Sequence, residues 1–136
     1  MRMHHIGYAV RDIDRAKEAF EAVGYLAGEV FCDVSRNCNI LFMQQPEMYV
    51  GGPLIELIAV SDITQPSPVD RFIKSKQQIY HTCYETADIY TKIMELSSQK
   101  WHLIDDVKPA HAIDRTATVA FMYNRYAGMI ELLQVK

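Results

Sequence analysis

The chain has 136 residues, of which 49% are hydrophobic and 23% charged, and this composition predicts one globular domain with a sizeable core. The net charge of −3 and the scattered Lys and Arg residues argue against nucleic acid or a membrane surface as partner and favour a small molecule. No apolar run approaches the roughly 18–20 residues of a membrane span, and the N-terminus lacks the apolar core of a signal peptide, so we expect a cytoplasmic protein.

The first half of the chain predicts a strand, a helix and three further strands. Residues 3–10 alternate as in a strand that is covered on both faces. A helix capped by Asp12 or Asp14 follows, and Gly24 is placed to end it. Its inward stripe is predicted to be Ile13, Ala16, Phe20 and Val23. Shorter apolar runs predict strands at about 26–32, 38–43 and 54–60.

The second half repeats this order after a polar, proline-containing linker. The linker covers about 61–78, with a short helix predicted around 69–74. Beyond it we predict a strand at 79–86, a helix at about 88–99, and strands near 101–107, 116–123 and 129–135. The chain is therefore predicted to be an α+β domain over 1–136, with module 1 at about 1–60 and module 2 at about 79–136, each a βαβββ unit.

An internal repeat supports this division. The stretch "HHIGYAVRDIDRAKEAFEAVGY" aligns without a gap on "YHTCYETADIYTKIMELSSQKW", at an offset of 76 residues. The matching pairs are His5/His81, Tyr8/Tyr84, Asp12/Asp88, Ile13/Ile89 and Tyr25/Trp101. Further on, "IELIAV" aligns on "IELLQV", and Phe42 aligns on Phe121. The offsets differ by only a few residues, as a duplicated unit with variable connections would show.

Four polar residues of the repeat lie in strands that are otherwise apolar. Glu56 and Glu131 each interrupt a hydrophobic run, where dehydrating an unpaired carboxylate costs several kcal/mol. Any one of them, like His5 or His81 alone, is explained by an edge position or by a hydrogen-bonded core histidine. Together, two imidazoles and two carboxylates placed about a pseudo-twofold axis can meet around one divalent cation and balance its charge. We therefore predict a site for Zn²⁺, Ni²⁺, Co²⁺, Mn²⁺ or Fe²⁺.

The remaining polar residues are assigned to ordinary roles. His4 points away from His5 in a strand, towards the helix or a partner subunit. Surface positions are expected for His102, Lys108, His111 and Arg115, although Lys108 or Arg115 could meet an anionic substrate tail. The cysteines are odd in number and form no C-x-x-C pair, so we predict buried thiols at Cys32, Cys38 and Cys83.

Several segments, "HHIGYAVRDIDRAKEAF", "IELIAV", "SPVDRFIKSKQQIYHTCYET" and "VAFMYNRYAGMIELLQ", resemble the vicinal-oxygen-chelate superfamily of glyoxalase I, epimerases, extradiol dioxygenases and bleomycin-resistance proteins. The resemblance covers essentially the whole chain and is nearest to methylmalonyl-CoA epimerase and glyoxalase-I-like proteins. It implies paired βαβββ modules whose mixed sheet curls around a metal site. It also implies a homodimer and four metal-ligand positions at His5, Glu56, His81 and Glu131, supplied by one chain or shared between two.

The resemblance implies a metal-dependent isomerase or lyase that moves a proton next to a carbonyl. The base would be Glu131, Glu56 or Asp33. Asp33 is the acid nearest to the position of an additional active-site glutamate of the epimerase, which falls near Ser35. The expected substrate is an acyl-CoA thioester or a hemithioacetal.

Two other functions stay open at this point. A ring-cleaving Fe²⁺ dioxygenase would use His5, His81 and Glu131, and would have no need of Glu56. A metal-free binding or drug-resistance protein of the same fold would need none of the four residues.

Overall fold

The computed structural model describes residues 1–49 and 51–136, which divide into two compact units. The N-terminal unit comprises residues 5–80, and the C-terminal unit comprises residues 1–4 together with 81–136. Each unit contains parallel and antiparallel strand pairs and few helices. The predicted α+β class with a mixed sheet is therefore confirmed.

The N-terminal unit has the predicted order of elements. They are β1 (Arg2–Ala9, which begins in the other unit), α1 (Ile13–Ala22), β2 (Leu26–Ala27), β3 (Phe31–Asp33), β4 (Cys38–Gln44), β5 (Leu54–Val60) and α2 (Asp70–Lys74). Short 3-10 turns lie at Val34–Arg36 and Glu47–Tyr49. The strand order is β2-β4-β5-β1, and β3 also pairs with β4. β1 and β5 run parallel, whereas β4 is antiparallel to β2, β3 and β5.

The C-terminal unit repeats this arrangement. Its elements are β6 (Ile79–Glu85, which begins in the other unit), α3 (Ile89–Ser97), β7 (His102–Leu103), β8 (Lys108–Pro109), β9 (Thr118–Asn124) and β10 (Gly128–Gln134). The order is β6-β10-β9-β7, and β8 also pairs with β9. As in the first unit, the first and last long strands are parallel neighbours. None of the helices in the described residues is long and apolar enough to cross a membrane.

The two long helices start at equivalent aspartates. The Asp12 carboxylate accepts hydrogen bonds from the backbone N–H groups of Asp14 at 3.0 Å and Arg15 at 3.1 Å. Asp88 accepts one from the N–H of Thr91 at 3.1 Å. Each carboxylate satisfies N–H groups that have no partner within the first turn of a helix, as an N-cap should.

In each unit, one face of the strands packs against the long helix of that unit. In the N-terminal unit this core consists of Leu41, Met43, Ile55 and Leu57, joined by the helix residues Ile13, Ala16 and Phe20. In the C-terminal unit it consists of Ile89, Ala120, Met122, Ile130 and Leu132. Because side chains alternate along a strand, Phe42, Glu56, Phe121 and Glu131 belong to the opposite face. This second face carries the candidate site.

Four sequence predictions need correction. Val23 does not join the helix stripe: it is 74% exposed, because α1 ends there and Gly24, with φ of +103°, turns the chain away. The strand predicted over 26–32 is divided into β2 and β3. The strand predicted over 101–107 is limited to β7, and β8 starts only at 108. Cys32 is exposed, because β3 lies outside the core cluster that covers α1.

Candidate metal centre

His5 and Glu56 form a buried pair in the N-terminal unit. Glu56 lies directly across from Gly7 on the parallel strands β5 and β1, and His5 is two residues before Gly7 on the same face. His5 is 0% exposed and Glu56 is 4% exposed. The distance from His5 Nε2 to Glu56 Oε1 is 3.5 Å. Strand register therefore brings two of the predicted ligands together.

His81 and Glu131 form the equivalent pair in the C-terminal unit. Glu131 lies across from Cys83 on the parallel strands β10 and β6, and His81 is two residues before Cys83. His81 is 2% exposed and Glu131 is 4% exposed. The distance from His81 Nε2 to Glu131 Oε1 is 3.8 Å. Each unit thus holds one imidazole and one carboxylate in nearly the same arrangement.

The two pairs suit ligands of a metal ion. An N–O separation of 3.5–3.8 Å is longer than a good hydrogen bond, which is about 2.7–3.2 Å. Two ligands held about 2.1 Å from one ion at tetrahedral angles lie about 3.4 Å apart. Burial makes a charged carboxylate expensive unless a cation or strong hydrogen bonds compensate it. Nitrogen and oxygen donors of this kind suit zinc and the other divalent first-row metals.

A phenylalanine accompanies each pair. Phe42 lies directly across from Glu56 on β4, and Phe121 lies directly across from Glu131 on β9. Each ring contacts the histidine of its own unit in a T-shaped arrangement. Phe42 and Phe121 were recognised from the sequence as a matching pair of the internal repeat, but no role was predicted for them. Their matching positions were the signal that could have placed them beside the candidate ligands.

Asp33, the third candidate base, lies at a different position along the strands from Glu56. It pairs with Cys38, which is four residues and about 13 Å along β4 from Phe42. Its carboxylate accepts hydrogen bonds from Ser35 Oγ at 2.7 Å and from the N–H of Arg36 at 3.3 Å. Asp33 therefore caps the 3-10 turn that follows β3.

The carboxylates of Asp33 and Glu56 both affect the pKa of the Cys38 thiol. Burial raises the pKa of the Cys38 thiol, and the negative charges of Asp33 and Glu56 raise it further, whereas its hydrogen bond to Ser67 lowers it. The Sγ atom lies 3.3 Å from Ser67 Oγ and 3.2 Å from the carbonyl oxygen of Arg36, to which it donates. Cys38 is therefore a neutral, buried thiol at neutral pH, as predicted for it.

The remaining sequence candidates have the expected surroundings. Cys83 is fully buried, in agreement with the prediction, and His4 is half-buried. The residues predicted to lie at the surface are exposed: His102, Lys108, His111 and Arg115. These four exposed residues belong to neither buried pair.

Comparison with known proteins identifies relatives of this arrangement. A family model described as "Glyoxalase/Bleomycin resistance protein/Dioxygenase superfamily" matches residues 4–134. No curated protein matches the chain by sequence.

Solved structures share the fold at low sequence identity. A hypothetical protein from Bacillus halodurans C-125 aligns with a TM-score of 0.82 and 22% identity, covering 99% of this chain and 94% of the other. Methylmalonyl-CoA epimerase from Mycobacterium tuberculosis aligns with a TM-score of 0.81 and 19% identity, covering 99% and 88%. A Streptomyces coelicolor methylmalonyl-CoA epimerase in complex with 2-nitronate-propionyl-CoA gives 0.81 and 16%, covering 99% and 97%.

Proposed function

The chain belongs to the glyoxalase/bleomycin resistance protein/dioxygenase superfamily, and on that premise we propose that it is a divalent-metal-dependent isomerase or lyase. Members of this superfamily commonly bind a divalent metal ion. The observation that carries the proposal is the buried His–Glu pair that occurs once in each unit, at 3.5 Å and 3.8 Å.

The proposed ligands are His5, Glu56, His81 and Glu131, and the proposed ion is Zn²⁺, Ni²⁺, Co²⁺ or Mn²⁺. Two neutral imidazoles and two carboxylates neutralise a divalent ion, which accounts for glutamates that are only 4% exposed. When bound, such an ion supplies a Lewis acid that polarises a substrate carbonyl and stabilises the negative charge developing on its oxygen.

The proton transfer itself is assigned to a carboxylate of the chain. We propose Glu131 as the base that removes a proton from the carbon next to the carbonyl, because a carboxylate in a dry site is more basic than one in water. Glu56, the buried carboxylate of the other unit, is the second candidate. Asp33 is the third, and its carboxylate accepts two hydrogen bonds within the turn that it caps.

The proposed substrate is an acyl-CoA thioester or a hemithioacetal, taken up by a cytoplasmic homodimer. Both substrates carry a carbon acid beside an oxygen that a metal ion can polarise. The acyl-CoA analogue in the Streptomyces coelicolor epimerase supports the first class by similarity of fold alone.

The alternative functions explain less of the site. A ring-cleaving Fe²⁺ dioxygenase needs two histidines and one carboxylate as metal ligands. Glu56, which lies buried beside His5, would then not be one of the ligands. A metal-free binding protein would need neither of the two buried pairs.

The test combines metal analysis with isotope exchange. The purified protein is analysed for divalent metals and then incubated in D₂O with acyl-CoA thioesters and hemithioacetals, before and after chelation. We expect deuterium to enter at the carbon beside the carbonyl, with loss of exchange after chelation and recovery on adding metal. Cleavage of catechols without exchange would support the dioxygenase instead. A protein that takes up no divalent metal at micromolar concentration would remove the basis of the proposal.

A further inference from the structure

We propose that Phe42 and Phe121 are positioning residues of the metal site, which hold the imidazole rings of His5 and His81 in the orientation that binds the ion. This inference rests on the proposed metal binding. It assigns a purpose to two side chains that have no donor atom of their own.

The two rings occupy the same place in the two units. The ring centroids of Phe42 and His5 are 5.3 Å apart with an interplanar angle of 71°, and those of Phe121 and His81 are 5.4 Å apart at 90°. These values lie within the favourable range for edge-to-face aromatic pairs. Because each unit builds the contact from its own strands, the arrangement occurs twice within one chain.

The backbone of each phenylalanine is held on both sides. On one side Phe42 faces Glu56, and on the other its carbonyl oxygen accepts a hydrogen bond from the N–H of Gly28 at 2.9 Å. Phe121 faces Glu131 in the same way, and its carbonyl oxygen accepts from the N–H of Ile104, also at 2.9 Å. A Cβ atom at Gly28 would lie 3.3 Å from the carbonyl oxygen of Phe42, so the backbone at Gly28 packs closely against the backbone of Phe42. The backbone from which each phenylalanine ring projects is therefore held in place.

Packing of the helix-side core does not account for these rings. Phe42 and Phe121 are half-buried and lie on the face opposite the helix, whereas their strand neighbours Leu41, Met43 and Met122 are fully buried under it. The phenyl rings have no atom that binds a metal ion, and they form no strong hydrogen bond with water. What they supply is an apolar wall beside each imidazole.

A fixed imidazole binds metal more tightly than a rotating one. The terminal torsion of a histidine side chain has a broad, two-fold preference, so several ring orientations are available without a neighbour. A ring locked before binding loses less conformational freedom when the ion arrives. Outer-shell groups that orient metal-binding histidines through hydrogen bonds are worth about 10–100-fold in metal affinity, and the phenylalanine contacts are proposed to act on the same ring torsion.

The test measures Co²⁺ binding in place of activity. Phe42→Leu and Phe121→Leu remove the ring but keep an apolar side chain, and Phe20→Leu is the matched control. Phe20 is also half-buried and T-shaped against an aromatic neighbour, Tyr8 at 5.1 Å, but lies on the helix side of the sheet. Affinity is read by competition with a chromophoric chelator, ligand geometry by the visible absorption bands of Co²⁺, and stability by urea unfolding.

We expect Phe42→Leu and Phe121→Leu each to weaken Co²⁺ binding about tenfold or more and to alter the visible bands. Phe20→Leu should lower stability and leave both Co²⁺ readouts unchanged. Wild-type affinity and spectrum in the two site variants would overturn the inference, as would an equal loss of affinity in Phe20→Leu. A wild-type protein that binds no Co²⁺ would instead overturn the metal site itself, and the inference with it.

Discussion

The two units share a histidine, a phenylalanine and a glutamate in the same strand register, but they differ beside the glutamate. Glu56 lies across from Gly7, which has no side chain, whereas Glu131 lies across from Cys83, which is fully buried. The repeated positions include the histidine and the glutamate that we propose as metal ligands in each unit. The position that differs is a glycine in one unit and a buried cysteine in the other.

The units also differ in what secures their outer segments. In the C-terminal unit, Ala110, Ala117 and Ile113 pack with Cys83 and Leu133, on the face that carries Glu131. In the N-terminal unit, the linker is instead held by Asn37. The two glutamates are nevertheless equally buried, at 4% exposure each.

The largest effect is expected from exchanging the carboxylates. Glu131→Gln and Glu56→Gln each keep an oxygen donor and remove the basic group. We expect Glu131→Gln to slow the proposed proton exchange about 10²–10⁴-fold, the usual contribution of a positioned base. Glu56→Gln should retain more exchange at equal metal loading, and Asp33→Asn should retain most of it. If Glu56→Gln is the more damaging variant at saturating metal, the assignment of the base is reversed.

The next effect concerns the linker of the N-terminal unit. The Asn37 side-chain amide donates to the carbonyl oxygens of Asp62 at 2.9 Å and Gln65 at 3.1 Å, and its oxygen accepts from the N–H of Asp62 at 2.8 Å. Asn37 also adopts a left-handed backbone conformation with φ of 52°. Asn37→Ala should therefore lower the free energy of unfolding by about 2 kcal/mol.

Urea unfolding with Asn37→Gly as control separates the loss of the amide hydrogen bonds from the strain of the left-handed backbone conformation. Glycine accepts the positive φ without strain but is more flexible in the unfolded chain, so its loss of stability reports the amide contacts plus a backbone entropy cost of about 0.5–1 kcal/mol. Equal stability of all three proteins would mean that the linker contacts contribute nothing.

The residue beside each glutamate gives a smaller effect. Cys83→Ala removes a buried sulfur and should lower the free energy of unfolding by about 1 kcal/mol, while Co²⁺ affinity stays unchanged. Gly7→Ala adds a methyl group on the face that carries Glu56 and should weaken Co²⁺ binding instead. Loss of metal affinity in Cys83→Ala would show that the thiol takes part in binding.

The smallest effect is a pH dependence of stability at Cys38. Burial and the charges of Asp33 and Glu56 raise the pKa of this thiol in the folded protein. Above the ordinary thiol pKa of about 8.5, the unfolded chain loses the proton first, so the stability present below that pH falls as the pH rises. Urea unfolding at neutral and alkaline pH should show a steeper decline for the wild type than for Cys38→Ala. Parallel declines would contradict the assigned cause.

The repeat explains why much of the molecule was predictable from sequence. The first long helix was predicted to be capped by Asp12 or Asp14 and the second to start at about 88, and Asp12 and Asp88 are the caps, because a capping side chain acts on its own neighbours. The sequence predicted four clustered polar residues from their places in apolar strands, and the structure shows a buried His–Glu pair within each unit.

The errors arose where tertiary pairing overrides local pattern. The apolar residues of 101–107 predicted one strand, but only His102 and Leu103 pair with β9 before the chain leaves the ladder after Ile104. Cys32 was predicted to be a buried thiol like the other two cysteines, yet its strand lies outside the core cluster. Neither outcome can be read from one stretch of sequence, because each depends on which strands become neighbours.

The central claim is that both His–Glu pairs serve a single ion, and the metal stoichiometry tests it most directly. The purified protein, reconstituted with Co²⁺ or Zn²⁺ and freed of loosely bound metal, is analysed for metal and protein content together. We predict one tightly bound ion per chain, and loss of that ion in both His5→Ala and His81→Ala. Two ions per chain, each lost independently in one of the variants, would show two separate sites and contradict the account.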